Sequence, residues 1–286
     1  MSFAELTLES SKMADSKIWF ITGASRGFGR IWTEAALARG DKVAAAVRTP
    51  SALDDLAQKH GDSLHVVKID VTDRDGVIQA VSDVVGHFGR IDVVLNNAGF
   101  GCMGAVEEVS PDDARATFET NVFGSLWVIQ AVLPHLRAQG FGHILQLSSV
   151  AGVVALPTAG VYEAAKFAVE GLVEALAAEV ARFGVKATLI EPGGYATDFL
   201  EGTNIRNAEP IAAYDPVRED LARQITADQL GDPRATVPAI LKLVDSDTPP
   251  LRLILGDLLP LVKTVYADRI QTWEAWDDVA RAAKTL

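Results

Sequence analysis

The sequence predicts an α/β fold, a mostly parallel sheet with helices wound on both faces, and three observations carry that expectation. Short, nearly continuous apolar runs alternate with segments of helical periodicity through most of the 286 residues. The first apolar run ends in a glycine-rich turn that opens directly into a helical pattern. No internal repeat, low-complexity tract or linker interrupts the alternation.

Taken in order, the strand candidates are Ile18–Thr22, Lys42–Val47, Leu64–Ile69, Ile91–Leu95, His143–Ser148, Lys186–Ile190 and Arg252–Leu255, seven in all. Helical patterns lie between them near 28–39, 51–60, 73–88, 112–138, 162–182 and 234–245. Gly40 is a natural stop for the first helix. Residues 1–16 form an N-terminal extension expected to be disordered, and 17–286 a single domain. Within it, 197–230 is a long irregular connection between two strands, of the kind that is functional or mobile. The end, 262–286, reads as an amphipathic helix whose Trp273 and Trp276 are expected to pack on the body or against another subunit.

Bulk properties exclude several classes. The chain is 49% apolar and 22% charged, ample for a sizeable core. A formal net charge of −12 argues against nucleic acid or an anionic membrane as the main partner. Cys102 is the single cysteine, so no internal disulfide forms, and it is expected to be a small packed or solvent-facing thiol. The five histidines (His60, His65, His87, His135, His143) lack ligand-like spacing, and no metal site is expected. The N-terminus has neither the basic start nor the apolar core of a targeting segment, and no apolar run is long enough to span a bilayer. A cytoplasmic protein is expected.

The chemistry concentrates in Tyr162-Glu-Ala-Ala-Lys166, with Ser149 thirteen residues upstream. Four residues apart on a helix, phenol and ammonium share one face. A free phenol ionises near 10, so acid–base work at neutrality needs a shift of roughly 3 units, about 4 kcal/mol. A neighbouring ammonium favours phenolate, and a serine hydroxyl can hold a substrate oxygen beside it. Earlier in the chain, TGASRGFG places Gly23, Gly27 and Gly29 where a buried strand turns into a helix. Glycines there allow close backbone approach, and the helix N-terminus attracts phosphate.

With these residues in place, the chain resembles the single-domain short-chain dehydrogenases/reductases. The matching elements are TGASRGFG, Asp70-Val71, NNAG at Asn96 to Gly99, Asn121, Ser149, Tyr162 with Lys166, and PGGYATDF from Pro192. They stand in family order across roughly 17–200. The resemblance implies a doubly wound, Rossmann-type seven-stranded sheet and reversible hydride transfer between a nicotinamide and a carbonyl carbon. It implies Asn121, Ser149, Tyr162 and Lys166 as the catalytic set, with Asn121 propping a water behind the lysine. Cofactor contacts are implied for Gly23, Ser25, Arg26, Gly27, Phe28, Gly29, Asp70, Val71, Asn97, Ala98, Gly99, Tyr162, Lys166, Pro192, Gly193, Tyr195 and Thr197. Residues 197–230 correspond to the family's substrate flap.

The second strand ends at Val47-Arg48, without the carboxylate that would grip a ribose 2′-hydroxyl. Arg48 and Arg26 suit a 2′-phosphate instead, which arginine holds in bidentate fashion, so NADP(H) is expected over NAD(H). Two departures from the family pattern stand out. Ala165 replaces a common serine, and Glu163 beside the tyrosine is expected to point away from Lys166 into solvent. Apolar residues near the expected mouth (Phe100, Met103, Val153, Leu156, Tyr195, Phe199, Leu200) suggest a substrate with an apolar body. The expectation is a carbonyl reductase, homodimeric or homotetrameric by resemblance; the alternatives are an NAD-linked alcohol dehydrogenase and a non-catalytic cofactor sensor.

Overall fold

The structure is a computed structural model that describes residues 16–197, 204–224 and 230–284. The chain begins β1 (Ile18–Thr22), α1 (Gly27–Ala38), β2 (Lys42–Val47), α2 (Asp54–His60), β3 (Leu64–Lys68), α3 (Arg74–Phe88) and β4 (Val93–Asn96). A short strand β5 (Gly101–Met103) leads to a helical rod made of α4 (Pro111–Phe118), a π-type turn at Glu119–Gly124 and α5 (Ser125–Gln139). There follow β6 (Gly142–Leu147), α6 (Gly160–Val180), β7 (Val185–Pro192), β8 (Ile205–Asn207), α7 (Asp215–Gln224), α8 (Val237–Asp245), β9 (Arg252–Leu255), α9 (Leu259–Ala275) and α10 (Asp277–Ala282).

Seven strands form one sheet in the order β3-β2-β1-β4-β6-β7-β9, every neighbouring pair parallel. Strand residues alternate between two cores. Phe20, Val94 and Ile144 face the layer containing α3, α5 and α6, while Trp19, Ile21, Val93, Leu95 and Leu145 face α1 and α8. Burial on both faces is why the central strands β1 and β4 are almost wholly apolar. The expected doubly wound sheet is therefore observed. Strand order reverses between β1 and β4, which opens a crevice at the carboxyl ends of the strands.

Helix ends follow local chemistry. Asp73 caps α3 by accepting from the Gly76 N–H at 3.1 Å, and Ser110 caps α4 through Asp113 N–H at 3.1 Å. Gly140 (φ 78°) ends α5 in the left-handed region. No helix among the described residues is long and apolar enough to cross a membrane.

Three features depart from the sequence reading. Part of the long connection after β7 is ordered into β8, which pairs in parallel with β5 as a second, two-stranded sheet. The rod at 111–139 is interrupted by the π-type turn. The terminal helices α9 and α10 bury none of their residues, and Trp273 and Trp276 are 67% and 64% exposed. Of the two roles expected for those tryptophans, packing on the body of their own chain is not observed. The N-terminal extension lies outside the described residues, apart from Ser16.

Candidate active site

The carboxyl ends of β1 and β4 are stitched together. Thr22 Oγ1 accepts from the N–H groups of Asn97 and Ala98 at 3.0 and 3.1 Å, and Asn97 Nδ2 donates to the carbonyls of Thr22 and Gly23 at 2.9 and 3.0 Å. Gly23 sits at φ +66°, and a Cβ there would stand 2.8 Å from Asn97 Nδ2. A Cβ on Gly29 would lie 2.4 Å from the Gly23 carbonyl oxygen. Only glycine permits so close a pass of helix α1 over the turn. The first N–H groups of α1 thereby face the crevice, an electrostatic setting for an anion.

The crevice is a cavity of about 750 Å³. It is lined by Gly23, Ser25, Arg26, Gly27, Phe28, Arg48, Asp70, Val71, Asn97, Ala98, Gly99, Ser149, Tyr162, Lys166, Pro192, Gly193, Tyr195 and Thr197. The residues singled out in the sequence as cofactor contacts are all in that set except Gly29, which backs the turn. Arg26 and Arg48 are exposed at its lip, and no carboxylate closes β2. Asp70 spends one oxygen on Thr72, accepting from its N–H (3.0 Å) and hydroxyl (2.8 Å), while Asp73 caps the helix.

Tyr162 and Lys166 come one turn apart on α6, with Lys166 Nζ 5.6 Å from the tyrosine ring centre. Both are buried. Lys166 Nζ donates to the Leu147 carbonyl at 3.0 Å, which ties α6 to the end of β6. Ser149 caps a short 3₁₀ turn by accepting from Ala151 N–H at 3.1 Å, and its hydroxyl also hydrogen-bonds Tyr162. Phenol, ammonium and hydroxyl thus meet at one wall of the cavity.

The electrostatics differ from expectation. Burial pushes the Tyr162 phenol upward, opposed by the Ser149 hydrogen bond and reinforced by the charge of Glu163. The anticipated lowering by the ammonium does not prevail. Burial also pulls Lys166 down to about 8, with the charge of Glu170 working against it.

Glu163 does not point into solvent as expected. It is 3% exposed rather than solvated, and its carboxylate accepts the Leu156 N–H at 2.7 Å. That bond folds the loop before α6 back onto the helix. In this loop Thr158 holds φ 68°, a strained conformation for a β-branched residue, and its carbonyl accepts from Gly104 N–H at 2.8 Å.

Asn121 lies within the π-type turn, a local device frequent at functional sites. Its side chain is buried and clasps the backbone of Phe100: Nδ2 donates to the carbonyl at 2.9 Å, and Oδ1 accepts from the N–H at 3.1 Å. The amide therefore anchors the loop after β4. It is not among the cavity-lining residues.

Of the residues expected at the substrate end, Phe100, Met103 and Tyr195 line the cavity. Leu156 and Val153 do not: Val153 is buried in the body of the protein, and Leu156, whose N–H is held by Glu163, is exposed. Phe199 and Leu200 lie outside the described residues. The sequence reading missed Ala116, Glu119 and Thr120 from the helical rod, and Asn204 and Arg206 from β8 and its approach. Arg206 stacks 4.9 Å over the Phe100 ring and pairs with Asp113 at 2.8 Å. Phe28 connects the glycine turn to this region, stacking on Trp32 (4.9 Å) and meeting Tyr195 edge-on (5.3 Å). Cys102 is buried, with its thiol pushed upward by desolvation.

Comparison with known proteins agrees with this geometry. The family model described as short chain dehydrogenase matches residues 17–208. "Oxidoreductase BOA17" of Botryotinia fuckeliana is 43% identical over 245 residues, covering 84% of this chain and 89% of that protein. The "3-ketodihydrosphingosine reductase" of Bacteroides thetaiotaomicron is 35% identical over 262 residues, covering 90% and 93%. Among solved structures, a short-chain dehydrogenase from Streptomyces avermitilis superposes with a TM-score of 0.86 at 37% identity, over 94% of this chain and 99% of that one. A short chain dehydrogenase/reductase from Burkholderia phymatum in complex with NAD superposes at 0.78 with 26% identity, over 90% and 95%. With its parallel sheet, glycine turn and tyrosine–lysine helix, the chain belongs to the short-chain dehydrogenase/reductase family of oxidoreductases.

Proposed function

We propose that the protein is an NADP(H)-dependent carbonyl reductase acting on a ketone or aldehyde with an apolar body. The observation that carries this reading is a single cavity holding Ser149, Tyr162 and Lys166 at one wall and the glycine turn with two arginines at the other. About 750 Å³ is within the range of small-molecule sites. A dinucleotide fits these residues: the turn is too tight for a Cβ at Gly23 or Gly29, so backbone amides can approach a pyrophosphate. Arg26 and Arg48 would hold a 2′-phosphate by charge-assisted bonds. Asp70 and Val71 would flank the adenine, Asn97 to Gly99 the ribose side, and Pro192, Gly193 and Thr197 the nicotinamide end. When bound, the cofactor supplies or accepts hydride.

The chain's own groups handle the oxygen and its proton. Ser149 donates a hydrogen bond to the substrate oxygen and fixes it beside the phenol. Burial keeps Tyr162 as the neutral phenol, the form that gives a proton to that oxygen in the reductive direction. Lys166, as ammonium, stabilises the phenolate left behind. Asn121 holds Phe100 and with it the cavity floor. Phe100, Met103, Ala116 and Tyr195 offer an apolar surface to the substrate. The name of the Bacteroides relative, a reductase of a keto compound, supports the same substrate chemistry.

The test is consumption of NADPH against a panel of ketones, with the Tyr162→Phe variant alongside. Turnover should vanish in the variant while NADPH still binds; persistence of turnover refutes the assignment of the acid. The second reading, an NAD-linked alcohol dehydrogenase, has the NAD complex of the Burkholderia neighbour in its favour. A strong preference for NADH over NADPH would establish it and remove the role given to Arg26 and Arg48.

A further inference from the structure

Helix α6 carries more than the tyrosine and lysine on one face. Tyr162, Lys166, Glu170 and Glu174 follow at intervals of four, a column in which each side chain neighbours the next. Glu170 is 5% exposed, one turn below the lysine and out of water. Glu191, near the end of β7, is 1% exposed and meets Glu170 beside Arg252. A single guanidinium, that of Arg252 on β9, serves the group. Its Nε lies 3.0 Å from Glu170 Oε2 and 3.5 Å from Glu191 Oε1, while its Nη2 reaches Glu174 Oε2 at 2.7 Å. From the segment after β6, Ser148 lies against Glu170.

Charge and hydrogen bonding do not close in this cluster with both buried carboxyls ionised. Oε1 of Glu170 and Oε1 of Glu191 each make no well-formed hydrogen bond among the described residues. Arg252 divides its one charge among three carboxylates. Two buried carboxylates that face each other hold one proton between them, because both cannot ionise cheaply. Lys166, in turn, is a buried cation whose described hydrogen bond goes to a neutral carbonyl.

We propose that Glu170 is the counter-charge of Lys166 and shares one proton with Glu191 near neutrality, the pair releasing it to solvent as the pH rises. The pair's negative charge then grows over the range in which a buried lysine would lose its own proton. The ammonium survives to higher pH and remains able to stabilise the phenolate. Glu170 and Glu191 are positioning residues in this scheme; neither touches the substrate. Burial raises both carboxyls, and the charge of Glu170 adds to it at Glu191, which rises to about 7, in keeping with a proton shared at neutrality. The inference rests on the proposed role of Lys166 beside Tyr162.

The experiment follows isotope-labelled lysine side chains by nitrogen NMR through a pH titration of the full-length protein, with Lys166 assigned from a Lys166→Met variant. Glu170→Gln and Glu191→Gln should each lower the pH at which Lys166 titrates, and the double variant should lower it by roughly one unit or more, the scale of an opposite charge within several ångströms. Glu170→Asp should restore most of the shift. A structural role alone would lower the melting temperature and leave the lysine titration in place; that result overturns the proposal. Lys166 unmoved with Tyr162→Phe inactive defeats this inference alone, whereas turnover by Tyr162→Phe defeats the functional reading beneath it.

Discussion

Replacing Asn121 with alanine would remove both hydrogen bonds to Phe100 and leave that residue's N–H and C=O without their partner. Each bond contributes about 1 kcal/mol net, and stranding a buried polar group adds about 1–3 kcal/mol. Phe100 is half-buried, so water can recover part of the second cost. The expected destabilisation is therefore about 2–4 kcal/mol, a fall in melting temperature of roughly 3–7 °C for a chain of this size. Chemical denaturation is the assay, since turnover would conflate the clasp with any part Asn121 plays in proton movement. Asn121→Asp is the informative partner: one carboxylate oxygen can still accept from the Phe100 N–H, but the other would face the Phe100 carbonyl at a buried position, so it should lose at least as much as the alanine variant. A loss below about 1 kcal/mol for the alanine variant would refute the clasp as the anchor of this loop.

Gly29→Ala should weaken NADPH binding by roughly tenfold or more, about 1.4 kcal/mol, because the new Cβ would fall 2.5 Å from Asn97 Nδ2 as well as against the Gly23 carbonyl. Fluorescence titration reads this directly, and unaltered affinity would contradict the tight pass of α1 over the turn. His143 is buried and bonded to Thr188 Oγ1 at 2.9 Å; desolvation, aided by Lys186, lowers it from 6.5 to about 4. The folded state then binds the proton less readily than the unfolded chain. Stability is full above the ordinary imidazole value and lost as the pH falls from about 6.5 towards 4, by at most about 3 kcal/mol from this residue. Denaturation midpoints across that window should slope less steeply in His143→Gln; identical slopes would count against it.

Much of this molecule is legible in its residues, and the reasons are specific. β1, β2 and β9 fall at the limits read from the sequence, and β1 most simply, because all five of its residues are apolar or buried. Other strand ends move by a residue or two, as at β4, which begins after the polar Asp92. That the glycine turn, Ser149, Tyr162 and Lys166 share one cavity was legible because short spacings set their placement. β5 and β8 were not: each is three residues long, and they pair across about a hundred residues of chain, which no local periodicity reports. Glu163 misled for a related reason. Its partner, the Leu156 N–H, is supplied by a loop that doubles back, and residue types alone do not reveal the fold of that loop. The exposure of Trp273 and Trp276 likewise depends on where α9 leaves the body.

The small β5–β8 pairing has a consequence for anyone recombining this protein with its relatives. Gly101, Cys102 and Met103 are matched residue for residue with Ile205, Arg206 and Asn207, and the Arg206–Asp113 and Arg206–Phe100 contacts lock the same junction. A chimera that imports a foreign segment after β7 while keeping the native stretch after β4 would mismatch an inter-strand ladder, an ion pair and a ring contact together. Crossover points that move both stretches as one block keep that seam intact.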